Sequence, residues 1–138
     1  MRYIIQRNIE KGLLPNYCDG GIEMDKQYCT VGILGLYETM EKFGYIETDE
    51  FGNKFYTEKG MDFAGKIFDV LNETKDGFTD EYSFNIESVP AEQAAVKLCA
   101  KDNILFDVHD NFIYSNQWIP LTEKCTINEK IRTSAILD

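Results

Sequence analysis

The sequence predicts an α/β fold in which strands alternate with helices and pair mostly in parallel. Three observations carry the prediction. First, YSFNIESVPAEQAAVKL (residues 82–98) changes from a period of two to a helical pattern at Pro90. Tyr82, Phe84, Ile86 and Val89 are apolar near alternate positions, as in a half-buried strand. Pro90 suits the first position of a helix, where its missing N–H is not needed. The expected helix covers Ala91 to Ala100, with Ala91, Ala94, Ala95 and Leu98 on one face. Second, CTVGILGLYETMEKFG (residues 29–44) makes the same change through glycines. Third, the expected order is helix, strand, helix, helix, strand, helix, strand, helix. About three good strands result, which is thin for a parallel sheet needing cover on both faces.

In order, residues 1–14 carry Ile5, Ile9 and Leu13 at helical spacing, with Gly12 and Pro15 marking the exit. A helix beginning at residue 1 without a cap looks cut from something longer. Residues 16–28 are loop-like around Gly20-Gly21. Thr30 to Leu34 is a short apolar run, read as a buried strand. Gly32 and Gly35 permit positive φ or close backbone approach; packing alone explains them equally well. From Leu36 the pattern is helical, with Leu36, Tyr37, Met40 and Phe43 on one face and Gly44 at the C-terminal end. The spacing is neither that of a dinucleotide-binding fingerprint nor that of a P-loop.

Residues 45–56 fit a hairpin or extended loop about Phe51-Gly52-Asn53. Thr57 can cap a helix over roughly 58–74 whose inner face holds Met61, Ala64, Phe68 and Leu71. Gly60 and Gly65 would each weaken it by about 1 kcal/mol if interior. Residues 75–81 form a polar turn. Further on, Phe112-Ile113-Tyr114 reads as a short strand after an Asp110-Asn111 turn. Ser115-Asn116-Gln117 either lines a pocket or satisfies turn backbone. Pro120 ends that element. Thr126 and Glu129 form a capping box opening a last helix, Ile127 to Asp138, with Ile131, Ala135 and Ile136 as its apolar positions.

A chain of 138 residues, 43% hydrophobic and 13% aromatic, can bury the core of one globular domain. Its net charge of −10, with scattered lysines and arginines, argues against a nucleic-acid surface. An anionic ligand would have to be held by local backbone dipoles. The strand-to-helix turn at Pro90 supplies such dipoles, because the first helical N–H groups have no partner within the helix. Most such turns bind nothing, so phosphate binding is the minority reading of the pattern alone. There is no secretory signal pattern and no apolar run long enough to span a membrane, so the expected location is cytoplasmic. Cys18, Cys29, Cys99 and Cys125 contain no C-x-x-C pair, which disfavours structural zinc and predicts free thiols, with Cys99 as a small core residue. His109, the only histidine, sits in a polar turn and is expected to be exposed. No catalytic triad or metal cluster can be assembled.

Three stretches together resemble a known family. FNIESVPAEQAA is similar to the E-x-x-P-A-E-S stretch of anaerobic (class III) ribonucleoside-triphosphate reductases. TVGILGLYET is similar to that family's T-I-G-x-x-G-L-x-E, and YSNQWIPL to its Y-x-N-S-x-x-x-P. The order and approximate spacing agree, and the resemblance covers nearly the whole chain. It implies a segment of the ten-stranded α/β barrel of the glycyl-radical enzymes, which reduce ribonucleoside triphosphates to deoxyribonucleotides without oxygen. In that family a glycyl radical passes to a cysteine on a finger loop, and formate or a thiol protein supplies electrons. The resemblance places substrate phosphates at Pro90, Ala91, Glu92, Gln93 and Ala94, and makes Gly32, Gly35, Glu87 and Asn116 candidate pocket wall. Gln93 stands where the family has serine, which removes a hydroxyl contact and leaves the backbone ones.

The departures from the family are as informative. The finger-loop cysteine would fall before residue 1. No arginine begins an R-x-x-G-Y radical segment, and the zinc cysteines and the ATP-cone are missing. Residues 1–138 are therefore expected to be a single fragment of the catalytic barrel, with no catalytic or metal-binding residue of its own. The glycyl radical and zinc are expected in other segments, and a radical-SAM activase would serve the full enzyme. The expected partners are a ribonucleoside triphosphate and the remaining reductase segments, or a second copy, because a barrel slice exposes strand edges and apolar helix faces. Two alternatives stay open: a non-catalytic nucleotide- or phosphate-binding module, and an interaction protein that associates with a reductase.

Overall fold

One pair of parallel strands carries the structure's longer sheet; the structure, a computed structural model, describes residues 2–78, 83–107 and 112–137. Helix α1 (Arg2–Glu10) and a single turn α2 (Pro15–Cys18) lead through a 3₁₀ turn at Met24–Lys26 into β1 (Tyr28–Ile33). Helix α3 (Leu36–Lys42) follows, then a hairpin of β2 (Ile46–Thr48) and β3 (Lys54–Tyr56), and the long helix α4 (Glu58–Asp76). Strand β4 (Ser83–Ser88), α5 (Glu92–Phe106) and α6 (Ile127–Leu137) complete it. β1 pairs in parallel with β4 in the register Tyr28 to Ser83 through Ile33 to Ser88. β2 and β3 pair antiparallel. Tyr82, His109 and the Asp110-Asn111 turn lie outside the described residues, as does Asp138.

The elements with strong local signals form as expected. Thr57 caps α4 by accepting the Gly60 N–H at 3.0 Å on its hydroxyl. Met61, Ala64 and Phe68 are buried, while Leu71 is only partly covered. Gly60 is required for packing, because a Cβ there would stand 2.8 Å from the Tyr45 carbonyl oxygen. At the end of α3, Gly44 has φ +71°, and the Tyr45 N–H reaches the Met40 carbonyl at 2.8 Å. That bond and the one from Gly44 to Glu41 close the helix end and release the chain into the hairpin.

Leu36, Tyr37 and Met40 from α3, Tyr56 from β3, and Met61, Ala64 and Phe68 from α4 form the core. Trp118 and Ile119 enter it from the segment before Pro120, and Leu137 from α6. Trp118 meets Phe68 edge to face at 5.1 Å, and its carbonyl accepts the buried Tyr56 hydroxyl at 2.6 Å. Phe43, expected on the inner face of α3, is 60% exposed.

Five expectations are corrected. Residues 16–28 hold two short helical turns rather than plain loop. Phe112-Ile113-Tyr114 is not a strand: Phe112 faces out, and Tyr114 covers Gly35 instead of pairing with a neighbour. Pro90 lies outside α5; Ala91 is the N-cap and Glu92 the first helical residue. The buried side of α5 is Ala95 and Cys99, and Ala94 and Leu98 are exposed. The inward side of α6 is Thr133 and Leu137, while Ile131, Ala135 and Ile136 are exposed. In α5 Ala95 and Cys99 are buried as expected and the covered stripe is turned away from Ala94 and Leu98, whereas in α6 the packed neighbour lies on the opposite side of the helix.

Candidate functional site

The C-terminal ends of β1 and β4 are neighbours, and each launches a helix. Parallel pairing puts partners on the same face of the sheet. Cys29, Ile33, Phe84, Ile86 and Ser88 share the face toward the helices, where Ile33 and Ile86 pack on the core. Thr30, Gly32, Asn85 and Glu87 share the opposite, open face. The Asn85 amide donates to the Glu87 carboxylate at 3.2 Å, and the Asn85 side-chain oxygen is buried without a partner among the described residues. Gly32 is bare because Val89 folds over it: a Cβ on Gly32 would lie 2.9 Å from Val89 Cγ1 and 3.1 Å from its Cβ.

After β4, the Ala91 N–H turns back to the Val89 carbonyl at 2.8 Å, making a tight reversal around Pro90. The Ala91 carbonyl then accepts the Ala95 N–H at 2.9 Å and opens α5. Ala91 is therefore not a free donor, contrary to the sequence expectation. The first-turn donors of α5 belong to Glu92, Gln93 and Ala94, whose N–H groups have no carbonyl within the helix to meet. After β1, Gly35 takes φ +80° as the N-cap of α3, a conformation that disfavours any side chain.

One segment straps both turns. The Gly35 N–H donates to the Ser115 carbonyl at 2.8 Å. Asn116 Nδ2 donates to the Val89 carbonyl at 2.9 Å and reaches Glu92 Oε1 at 3.4 Å. The Ser115 hydroxyl accepts the Gln117 N–H at 3.0 Å, holding the strap in its own turn. The Ser115 N–H donates to Glu38 Oε1 at 2.6 Å. Asn116 thus braces the Pro90 turn, which is the backbone-satisfying role of the two the sequence left open for the Ser115–Gln117 cluster.

Sequence reasoning missed Glu38, Asn85, Tyr114 and Asp102. Burial pushes the Glu38 carboxyl above its ordinary value, against the backbone N–H bonds of Glu38 and Ser115 that favour its charge. Its second oxygen is buried and unpartnered among the described residues. The Tyr114 hydroxyl donates to Asp102 Oδ2 at 2.7 Å, which with burial pushes it up to about 12. Glu38, Asp102, Tyr114 and Gly35 line a cleft of about 410 Å³ between α3 and α5. Asn85 had a signal in the sequence, since it alternates with Glu87 on the polar side of the strand. Glu38 also had one, as the glutamate that closes the T-x-G-x-x-G-L-x-E stretch, whereas Asp102 had none, because its partner lies beyond its own helix.

Among the described residues no three His, Cys, Asp or Glu side chains gather closely enough to hold a metal ion. All four cysteines are free thiols; Cys29 and Cys99 are buried. Burial, followed by the nearby Asp102, pushes the Cys99 thiol up, away from the reactive thiolate. No described helix is long and apolar enough to cross a membrane.

A parallel strand pair that launches helices from both C-terminal ends, with a polar open face beside them, defines an α/β unit of the kind that carries ligands at strand ends. The chain belongs to the anaerobic ribonucleoside-triphosphate reductase family, whose model matches residues 1–138. It is similar to the anaerobic ribonucleotide reductase of Thermotoga maritima with citrate in the active site, at 39% identity and a TM-score of 0.83. That match covers 96% of this chain and 25% of the other. Structures of the Thermotoga maritima enzyme with dATP in the specificity site, and with dATP and CTP, match with the same identity and TM-score over 23% and 22% of their chains. The chain thus spans about a quarter of the length of these relatives. A comparison with curated proteins finds no match.

Proposed function

We propose that these residues form part of the catalytic barrel of an anaerobic ribonucleotide reductase, and that the start of α5 holds substrate phosphate. The observation that carries the reading is the placement of α5. Its Glu92, Gln93 and Ala94 N–H groups open at the end of β4, and Asn116 fixes the turn before them. Such an end attracts an anion even in an acidic chain, because the donors and the helix dipole act at short range. Gly32, Glu87 and Asn85 form the adjoining wall, with Gly35 setting the neighbouring turn. Family membership and the CTP complex of the Thermotoga maritima relative support a ribonucleoside triphosphate as the ligand.

Under this reading the chain's residues bind and orient substrate. The glycyl radical and zinc belong to segments outside these residues, where the radical supplies the one-electron chemistry and a radical-SAM activase serves the whole enzyme. Ile104, Leu105 and Phe106 of α5 are 82%, 72% and 69% exposed, which supports burial against the remaining reductase segments or a second copy. Binding of CTP by the intact protein tests the phosphate seat. Gln93→Pro deletes one first-turn donor at the second helical position, where no intrahelical hydrogen bond is lost. Affinity should fall by about tenfold, the value of one charge-assisted hydrogen bond. An unchanged affinity would remove the α5 start from the site.

A further inference from the structure

On the helix-facing side of the sheet, away from the open wall, a second cavity of about 150 Å³ lies between the end of β4, the strap and α6. Its lining is rich in donors. Lys130 brings an ammonium group, Gln117 an amide, and Ser88, Thr133 and Ser134 three hydroxyls, against a floor of Trp118. Among the described residues no carboxylate lines it, although the chain carries 24 acidic residues against 14 basic ones. Thr133 is fully buried, and its hydroxyl has no hydrogen-bond partner among the described residues. A buried hydroxyl left unpaired is costly, and Thr133 is part of the cavity's lining.

We infer that this cavity binds a small oxyanion of the phosphate class. The volume exceeds what one water needs and leaves room for a tetrahedral oxyanion. An ammonium, an amide and hydroxyls converging on one space can each donate to oxygen, and the charge of Lys130 is compensated by such a guest. The site is separate from the α5 start. Ser88 shares its face with Phe84 and Ile86 toward the core, whereas Asn85 and Glu87 point the other way. Thr133, Ser134 and Lys130 come from α6, which contributes nothing to the Pro90 turn. The inference therefore stands independently of the nucleotide reading.

Trp118 is the only tryptophan of the chain and lines the cavity, so it reports occupancy. Inorganic phosphate is titrated into the full chain, with chloride at matched ionic strength as reference, while Trp118 fluorescence is followed. A saturable change specific to phosphate is expected. Lys130→Met should weaken it by about tenfold and Thr133→Val by about fivefold, whereas Lys130→Arg should retain it. Lys130 is only half-buried, so its variants remain informative even if the threonine change disturbs folding. Gln93→Pro should leave the phosphate response intact. No saturable response, or a response that Lys130→Met leaves unaltered, overturns the inference. So does loss of the response in Gln93→Pro, which would place the anion at α5.

Discussion

Gly32→Ala tests how the end of β1 and the Pro90 turn are built against each other. Gly32 has an ordinary backbone φ, so alanine adds no conformational strain of its own. Its cost is steric. The new Cβ would stand 2.9 Å from Val89 Cγ1 and 3.1 Å from Val89 Cβ, where ordinary contact begins near 3.4 Å. The obstacle includes the branch point of a valine, whose χ1 is stiff. Val89 is followed by Pro90, which restricts its backbone as well, so the side chain cannot swing aside cheaply. Overpacking of this kind costs about 1–3 kcal/mol. Taking about 2 kcal/mol and a urea dependence of about 2 kcal/mol per molar, the unfolding midpoint should fall by about 1 M. Val89→Ala removes both γ-carbons and should absorb most of the added methyl. The double variant Gly32→Ala/Val89→Ala should then be more stable than the sum of the single changes by about 1 kcal/mol or more. Urea unfolding followed by circular dichroism measures all four proteins. A Gly32→Ala cost below about 0.5 kcal/mol, or strictly additive single changes, would refute the close packing of the two strand ends.

Three further outcomes follow from single contacts. Thr57→Ala should cost about 1 kcal/mol in thermal or urea unfolding by uncapping α4, and Thr57→Ser should recover most of it. Tyr56→Phe removes the buried bond to the Trp118 carbonyl and should cost about 1–3 kcal/mol, while Tyr37→Phe should be close to neutral because its buried hydroxyl has no partner among the described residues; equal costs would contradict this. Glu38 has a folded-state value raised by burial above its ordinary 4.5, so its uncharged form is favoured by folding. Its stabilising contribution is complete below that ordinary value and is lost as pH rises through the raised one. The stability of Glu38→Gln relative to the parent should therefore increase as pH rises from below the ordinary value through the raised one, and a difference independent of pH would refute the burial of the charge.

Much of the fold was legible because its signals are local. A threonine cap three residues before Gly60, followed by apolar residues at helical spacing, is sufficient to place α4. The glycine after Phe43 ends α3, and the polar turn around Gly52 closes the hairpin, whatever surrounds them. The three short motifs placed the chain in its family, and the family model covers all of it. The two turns were legible in outline: Gly32, Gly35 and Asn116 lie around the ends of the two parallel strands. The register decides that Glu87 stands on the open face with them.

Tertiary structure alone decided the rest. Ile127, Ile131 and Ile136 are the most apolar residues of α6, yet Thr133 and Leu137 are the ones covered. Periodicity shows that a helix has sides, and only the neighbour that packs against it decides which side is buried. Tyr114 belongs to a three-residue run with strand propensity, but its hydroxyl is held by Asp102 and its ring covers Gly35. Asn116 could have served any turn; it braces the one at Pro90 because β1 and β4 bring that turn beside the strap. The amino-acid sequence determined the elements and the chemistry they carry. Which polar groups meet was set by the parallel pairing, since contacts between residues distant in the chain leave no local pattern to read.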